Sequence, residues 1–119
     1  MTTVDQFLYA LAIVESSNTP EAWGDGGRAM GRWQVHPDRF WDECRRGYIF
    51  PKVGETWDSV VERILRAVWE FYFDKLDPVA IAMYWHLGHF TSRASQDWDT
   101  TYASKFAAAL AKVSAQAGA

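Results

Sequence analysis

Cysteine is almost missing from this chain of 119 residues: Cys44 stands alone, so no internal disulfide can form and the fold has to rest on packing, as suits synthesis in a reducing compartment. Its thiol, on a helix, reads as an inert, half-buried group rather than a nucleophile. Positive charge is also scarce. Lys and Arg number 12 against 15 Asp and Glu, giving a net charge of −3, and no basic run is longer than Arg45-Arg46. A phosphate backbone has no basic footprint to bind, which argues against nucleic acid as the partner class. No stretch reaches the ~18 to 20 apolar residues of a membrane span, so no membrane insertion is expected. The opening MTTVDQFLYALAIVESS lacks a basic n-region and a small-residue cleavage site, and is expected to be a first helix rather than a signal peptide. Neither a repeat nor a linker interrupts the chain, so residues 1–119 are expected to form a single domain around one core.

Aromatic residues are plentiful. Seven Trp, five Tyr and seven Phe make up 16% of the chain, more than one small core needs, so one or two indoles can line a cleft where a flat apolar face with an N–H meets a sugar ring. The helical elements follow from capping and periodicity. Thr3 to Gln6 has the spacing of a capping box, and Val4, Phe7, Leu8, Leu11 and Val14 make a helix over about residues 3 to 16. Pro37 opens a second helix that runs to Arg46, ends at Gly47 and buries Phe40, Trp41 and Cys44. A loop from Tyr48 to Gly54 is expected to be held by its aromatic residues. Thr56 caps the longest helix, about 57 to 75, with the stripe Trp57, Val61, Ile64, Leu65, Val68, Phe71 and Tyr72. Pro78 opens PVAIAMYWHL, apolar nearly all round and therefore central, and Gly88 ends it. Tyr102, Phe106, Ala109, Leu110 and Val113 describe a last helix, whose AAALAKVSAQAGA tail is expected to fray at its end. The fold class is mainly α, with at most one short β-hairpin near residues 23–35, where Gly24, Gly26, Gly27 and Gly31 mark a tight irregular loop. That loop is no dinucleotide fingerprint, because a helix and not a strand precedes it.

The residue that packing alone does not explain is Glu15. Counting back at helical spacing gives Leu11, Leu8 and Val4, so this carboxyl lies on the stripe that faces the core. Partial desolvation disfavours its charged form and raises its pKa, the condition a general acid needs near neutral pH. A salt-bridged residue at a helix end is the plainer reading of Glu15 taken alone.

Three segments together resemble the lysozyme-like superfamily of peptidoglycan glycosidases. Glu15-Ser16 within AIVESSNTPEAW resembles the ES-x-x-N-P-x-A motif of lytic transglycosylases and small phage lysozyme-like families. GDGGRAMGRWQVHP is similar to their G-x-x-Q segment, with Gly31 and Gln34 on the glycine and glutamine. AMYWHLGHF takes the place of their aromatic-Asn-x-Gly segment, with Trp85, His86 and Gly88 on the matching positions; His86 departs from the asparagine of many relatives, though imidazole can still donate a hydrogen bond. The GDGG stretch is closer to small phage and invertebrate-type lysozymes, where an aspartate follows the catalytic glutamate, and Asp25 is the matching candidate.

The resemblance implies a lysozyme-like helical domain that cleaves the β-1,4 bond between N-acetylmuramic acid and N-acetylglucosamine, without cofactor or metal. Glu15 would protonate the leaving oxygen. Asp25 would act with retention if the two carboxyls lie about 5 to 5.5 Å apart, or activate water with inversion at about 6.5 to 9.5 Å. Without a working second carboxylate the sugar's own hydroxyl closes onto the anomeric carbon, as in lytic transglycosylases. Gln34 would contact an acetamido group or orient Glu15, and Ser16, Trp33, Tyr84, Trp85 and His86 are the further candidates for substrate contact. For Trp33, Tyr84 and Trp85 core packing is the competing reading, and for Asp25 a simple turn role. His86 and His89, three apart with His36 distant, are not expected to hold a metal. The implied setting is a protein made in the cytoplasm that reaches the cell wall or periplasm, as a phage endolysin, a virion-associated muramidase or an exported antibacterial effector. Its partners would be peptidoglycan glycan strands and a phage structural, export or holin-type delivery protein, with the chain itself a monomer. The competing class is a lysozyme-like fold kept only for binding a glycan or a protein.

Overall fold

The computed structural model describes residues 1–20 and 22–117. They form helices α1 (Val4–Ser16), α2 (Pro37–Gly47), α3 (Trp57–Tyr72), α4 (Pro78–Leu87) and α5 (Thr100–Ala117), with one hairpin between α1 and α2. Its strands β1 (Trp23–Gly24) and β2 (Ala29–Met30) are antiparallel, Trp23 opposite Met30 and Gly24 opposite Ala29, and a further bridge joins Met30 to Val35. The molecule is mainly helical with one short hairpin, as the sequence pattern requires. The expected fraying of the tail concerns residues 118–119, which lie outside the described residues.

Local chemistry sets the helix ends. The Thr3 hydroxyl accepts from the Gln6 N–H while the Gln6 side chain accepts from the Thr3 N–H, closing the capping box of α1. Thr56 and Asp77 accept from Ser59 and Ala80 and start α3 and α4. Gly88 stops α4 with φ of 84°, a left-handed cap that glycine adopts without a Cβ clash.

All five helices contribute to the core, α2 through Phe40 and Cys44. Phe7 of α1 meets Trp69 of α3 at 4.8 Å and Phe106 of α5 at 5.7 Å between ring centroids, which locks three helices onto one aromatic cluster. In α4 the whole run from Ile81 to Trp85 is buried, so this helix is central, as its all-round apolar character demands. In α5 Tyr102, Phe106 and Val113 are buried, with Ala109 and Leu110 packed partly against them.

Three expectations are corrected. Trp41 is 45% exposed on α2, standing edge-on to Phe40, while Glu43 is buried in its place because Arg39, Arg46 and Tyr84 surround its carboxylate. The regular part of α3 ends at Tyr72, and near its end the inward face turns to Trp69, which meets Phe7, leaving Phe71 61% exposed. The loop after α2 is not held by its aromatic residues: Tyr48 and Phe50 are exposed, and the anchors are Ile49, packed on the core, and the Arg63 guanidinium on the Phe50 carbonyl at 2.7 Å.

Candidate active site

Glu15 lies in the last turn of α1, half-buried. Beyond it Ser17 turns left-handed, with φ of 55°, and the Ser16 hydroxyl donates 2.6 Å to the Arg32 carbonyl, tying the end of α1 to the segment after the hairpin. Across from Glu15 stands α5. The buried Tyr102 hydroxyl donates 2.9 Å to Glu15 Oε1. Burial is the larger influence on the Glu15 carboxyl and raises its pKa; the Tyr102 hydrogen bond and then the nearby His86 act in the opposite direction. Tyr102 is itself pushed far above the ordinary phenol range, first by burial and then by the adjacent carboxylate, so it stays a proton-bearing donor.

Two more residues hold this pair. The His86 ring stacks flat on Tyr102, with centroids 3.8 Å apart and planes 5° from parallel. Its Nε2 lies 3.1 Å from Asp99 Oδ2, while the other oxygen of Asp99 accepts from the Tyr102 N–H at 3.0 Å at the start of α5. The Tyr102 N–H and then the His86 ring hold the Asp99 carboxyl below its ordinary value. Asp99 therefore fixes the imidazole over the phenol, and the phenol fixes the glutamate.

The other candidates belong to the hairpin and the segment that follows it. Gln34 has φ of 50° and turns its amide inward, with Nε2 donating to the Ala22 carbonyl at 3.1 Å and the Gly31 carbonyl at 2.8 Å. A Cβ at Gly24 would fall 2.1 Å from Gln34 Oε1, so a side chain there would displace the Gln34 amide from its place. Asp25 sits at the tip with φ of 51°, its side chain 56% exposed and Oδ2 paired to His36 Nε2 at 3.0 Å. A cavity of about 240 Å³ lined by Gln34, His36, Arg39, Trp85 and His86 lies between the hairpin and the end of α4. Gln34, His36 and His86 meet there, whereas Asp25 touches it only through its pair with His36 and Glu15 only through the stack of His86 on Tyr102. A larger cavity of about 670 Å³, lined by Tyr72, Phe90 and Trp98 among others, contains no carboxylate and none of these residues.

Comparison with protein-family models, curated proteins and solved structures gives no match. The site therefore stands on its own geometry.

Of the residues singled out in the sequence, Glu15 and His86 meet across Tyr102, while Asp25 sits in the hairpin and Gln34 in the turn after it, neither in contact with that pair. Four others are committed elsewhere. Ser16 binds the Arg32 carbonyl and accepts from the Thr19 N–H, so it holds the backbone at the end of α1. Trp33 and Trp85 are core residues: the Trp33 N–H reaches the Leu8 carbonyl at 3.0 Å and the Trp85 N–H the Trp33 carbonyl at 3.5 Å. Tyr84 is buried with its hydroxyl between Glu43 and Arg46. The three histidines turn to different partners: His36 to Asp25, His86 to Asp99 and His89 to the Phe90 carbonyl. Tyr102 and Asp99 were absent from the sequence candidates. A phenol on a core stripe needs a polar partner, which was the signal at Tyr102; Asp99, ahead of the last helix, reads from sequence only as a cap.

Proposed function

We propose that this chain is a muramidase that cuts the β-1,4 bond between N-acetylmuramic acid and N-acetylglucosamine in peptidoglycan, with Glu15 as general acid. The observation that carries the reading is the half-buried Glu15 carboxyl, favoured in its protonated form by burial and held in place by the Tyr102 hydroxyl. In the reaction Glu15 gives its proton to the glycosidic oxygen as the bond to the anomeric carbon breaks. The resulting carboxylate is then steadied by the Tyr102 hydrogen bond, which favours its ionised form. Asp25, on the hairpin, is the candidate second carboxylate, and water completes hydrolysis. A second reading, lytic transglycosylase, is favoured by one contact: Asp25 is already paired with His36, which leaves closure by the muramic acid hydroxyl as the other way to discharge the glycosyl centre. Either chemistry acts outside the cytoplasm and implies delivery by a phage structural, holin-type or export partner.

Clearing of purified cell walls tests the assignment. Wild-type protein is expected to reduce turbidity and Glu15→Gln to be slower by about 10²- to 10⁴-fold. Equal clearing by both, or none by the wild type, refutes the enzyme and leaves a binding module. Mass analysis of the released fragments separates the two chemistries, since reducing ends mean hydrolysis and anhydro ends mean transglycosylation.

A further inference from the structure

The cavity of about 670 Å³ lies where the end of α3, the start of α4 and the loop between α4 and α5 come together, and the Glu15 chemistry does not use it. Tyr72, Leu76, Ala80, Phe90 and Trp98 give it apolar walls. These walls are fixed from behind. Phe90 stacks on Tyr84 with ring centroids 4.4 Å apart and meets Tyr72 edge-on at 4.9 Å, while Tyr72, Leu76 and Trp98 pack against the core. Phe90 nonetheless stays 50% exposed, an aromatic face that the fold leaves uncovered.

Two cations stand on the same lining. Lys75 Nζ donates 2.8 Å to the Phe71 carbonyl and pairs with Asp74 at 3.2 Å; Arg93 pairs with Asp77 at 2.9 Å and carries its guanidinium 5.0 Å from the Trp98 ring centroid. Neither aspartate lines the cavity, so each pair presents its positive end there. An ammonium has three N–H donors and a guanidinium five, and these contacts leave some of both unused. Thr91 Oγ1, on the same wall, is buried and has no hydrogen-bond partner among the described residues.

We propose that this cavity binds a small amphiphilic monoanion, a single carboxylate on an aliphatic chain. The chain lies on Tyr72, Leu76 and Phe90, and the carboxylate accepts from Lys75, Arg93 and the Thr91 hydroxyl. Asp74 and Asp77 sit directly behind the two cations, so one added negative charge is held and a polyanion is repelled. Size selects a small molecule over a protein. Ligand cavities run from about 300 to 1,000 Å³, whereas a stable protein partner covers roughly 1,200 to 2,000 Å². Such a site stands whether or not Glu15 cuts glycan.

Calorimetric titration with dodecanoate, kept below the concentration at which it forms micelles, tests the site in wild type, Arg93→Gln and Lys75→Gln, with dodecanol as the uncharged control. Saturable one-to-one binding that Arg93→Gln weakens by about tenfold or more, with dodecanol held more weakly than dodecanoate, supports the proposal. Both cations are exposed, and a thermal melt checks that each variant folds. Should Arg93→Gln unfold for want of its Asp77 pair, Lys75→Gln gives the same reading, again a loss of about tenfold. No saturable binding, equal affinity of the folded variants and wild type, or equal affinity for dodecanol overturns the proposal. So does a wild-type chain that sediments as a dimer and a Phe90→Ala variant that sediments as a monomer, because a second copy then covers the cavity.

Discussion

The Tyr102 hydroxyl bonds Glu15 Oε1 at 2.9 Å across a separation of 87 residues, joining the last turn of α1 to the first turn of α5. Two opposed influences meet at that carboxyl. Burial favours the acid, and the phenol favours the carboxylate. A general acid needs both, because it must hold a proton before the reaction and carry charge after it.

Tyr102→Phe is expected to move the alkaline limb of the pH–rate profile to higher pH. The lost bond stabilised the ionised form of Glu15, so without it the carboxyl keeps its proton further up the pH scale. Rates on the plateau should fall, since the newly formed carboxylate loses its donor. A merely structural phenol would lower stability without moving that limb, and rates measured from pH 4 to pH 9 on purified walls distinguish the two.

Glu15→Gln is expected to stabilise the protein at neutral pH. The folded pKa of Glu15 is raised, so its protonated form is the one the fold accommodates; that stability is fully present below the unfolded value of about 4.3 and is lost as pH rises through the folded value. Glutamine is neutral at every pH and can still accept from Tyr102. The gain should be on the order of 1 kcal/mol near pH 8 and vanish near pH 4. Thermal melts of both proteins across that range check the sign, and a Gln variant less stable than wild type at pH 8 would contradict it.

Gly31→Ala should damage the hairpin far more than Gly26→Ala, although both glycines have positive φ, 90° and 65°. At Gly31 a Cβ would fall 2.5 Å from Asp58 Oδ1 and 2.8 Å from Trp57 Cδ1, whereas at Gly26 it meets nothing within 4 Å. The Gly26 change then costs only the left-handed backbone penalty, about 1 to 2 kcal/mol. Gly31→Ala adds a clash and is expected to cost about 2 to 5 kcal/mol in all. Urea unfolding of the two variants gives the comparison.

The sequence made the helices legible because their signals are local: the capping box at Thr3, the cap at Thr56, Pro78 at the start of α4, and the apolar run of that helix. Glu15 was legible for the same reason, as a carboxyl on an apolar stripe. What stayed hidden depends on contacts between distant segments. Nothing near Trp33, Tyr84 or Trp85 says that their N–H and O–H groups are consumed by Leu8, Glu43 and Trp33, so sequence could not divide core aromatics from cleft aromatics. The most exposed indole is Trp23, on the loop that the glycines mark. The Asp99–His86–Tyr102 stack was equally invisible, since it exists only once α4 and α5 are packed.

Glu43 carries the last prediction. It is 4% exposed, and its Oε1 receives Arg39 at 3.1 Å, Arg46 at 3.0 Å and the Tyr84 hydroxyl at 3.0 Å. Arg39 in turn donates 2.9 Å to the Trp85 carbonyl, next to His86, and lines the cavity behind the candidate site. Glu43→Ala leaves the mostly buried Arg39 without its counter-charge and is expected to cost about 3 to 5 kcal/mol. The double change Glu43→Leu with Arg39→Met removes both charges and should recover most of that loss, because a buried ion pair gains little over well-packed apolar side chains. If the Arg39 contact to Trp85 also positions the end of α4, the double variant will refold to near wild-type stability yet clear walls more slowly. Denaturant melts and turbidity assays on the same three proteins separate the contribution to stability from the contribution to the site.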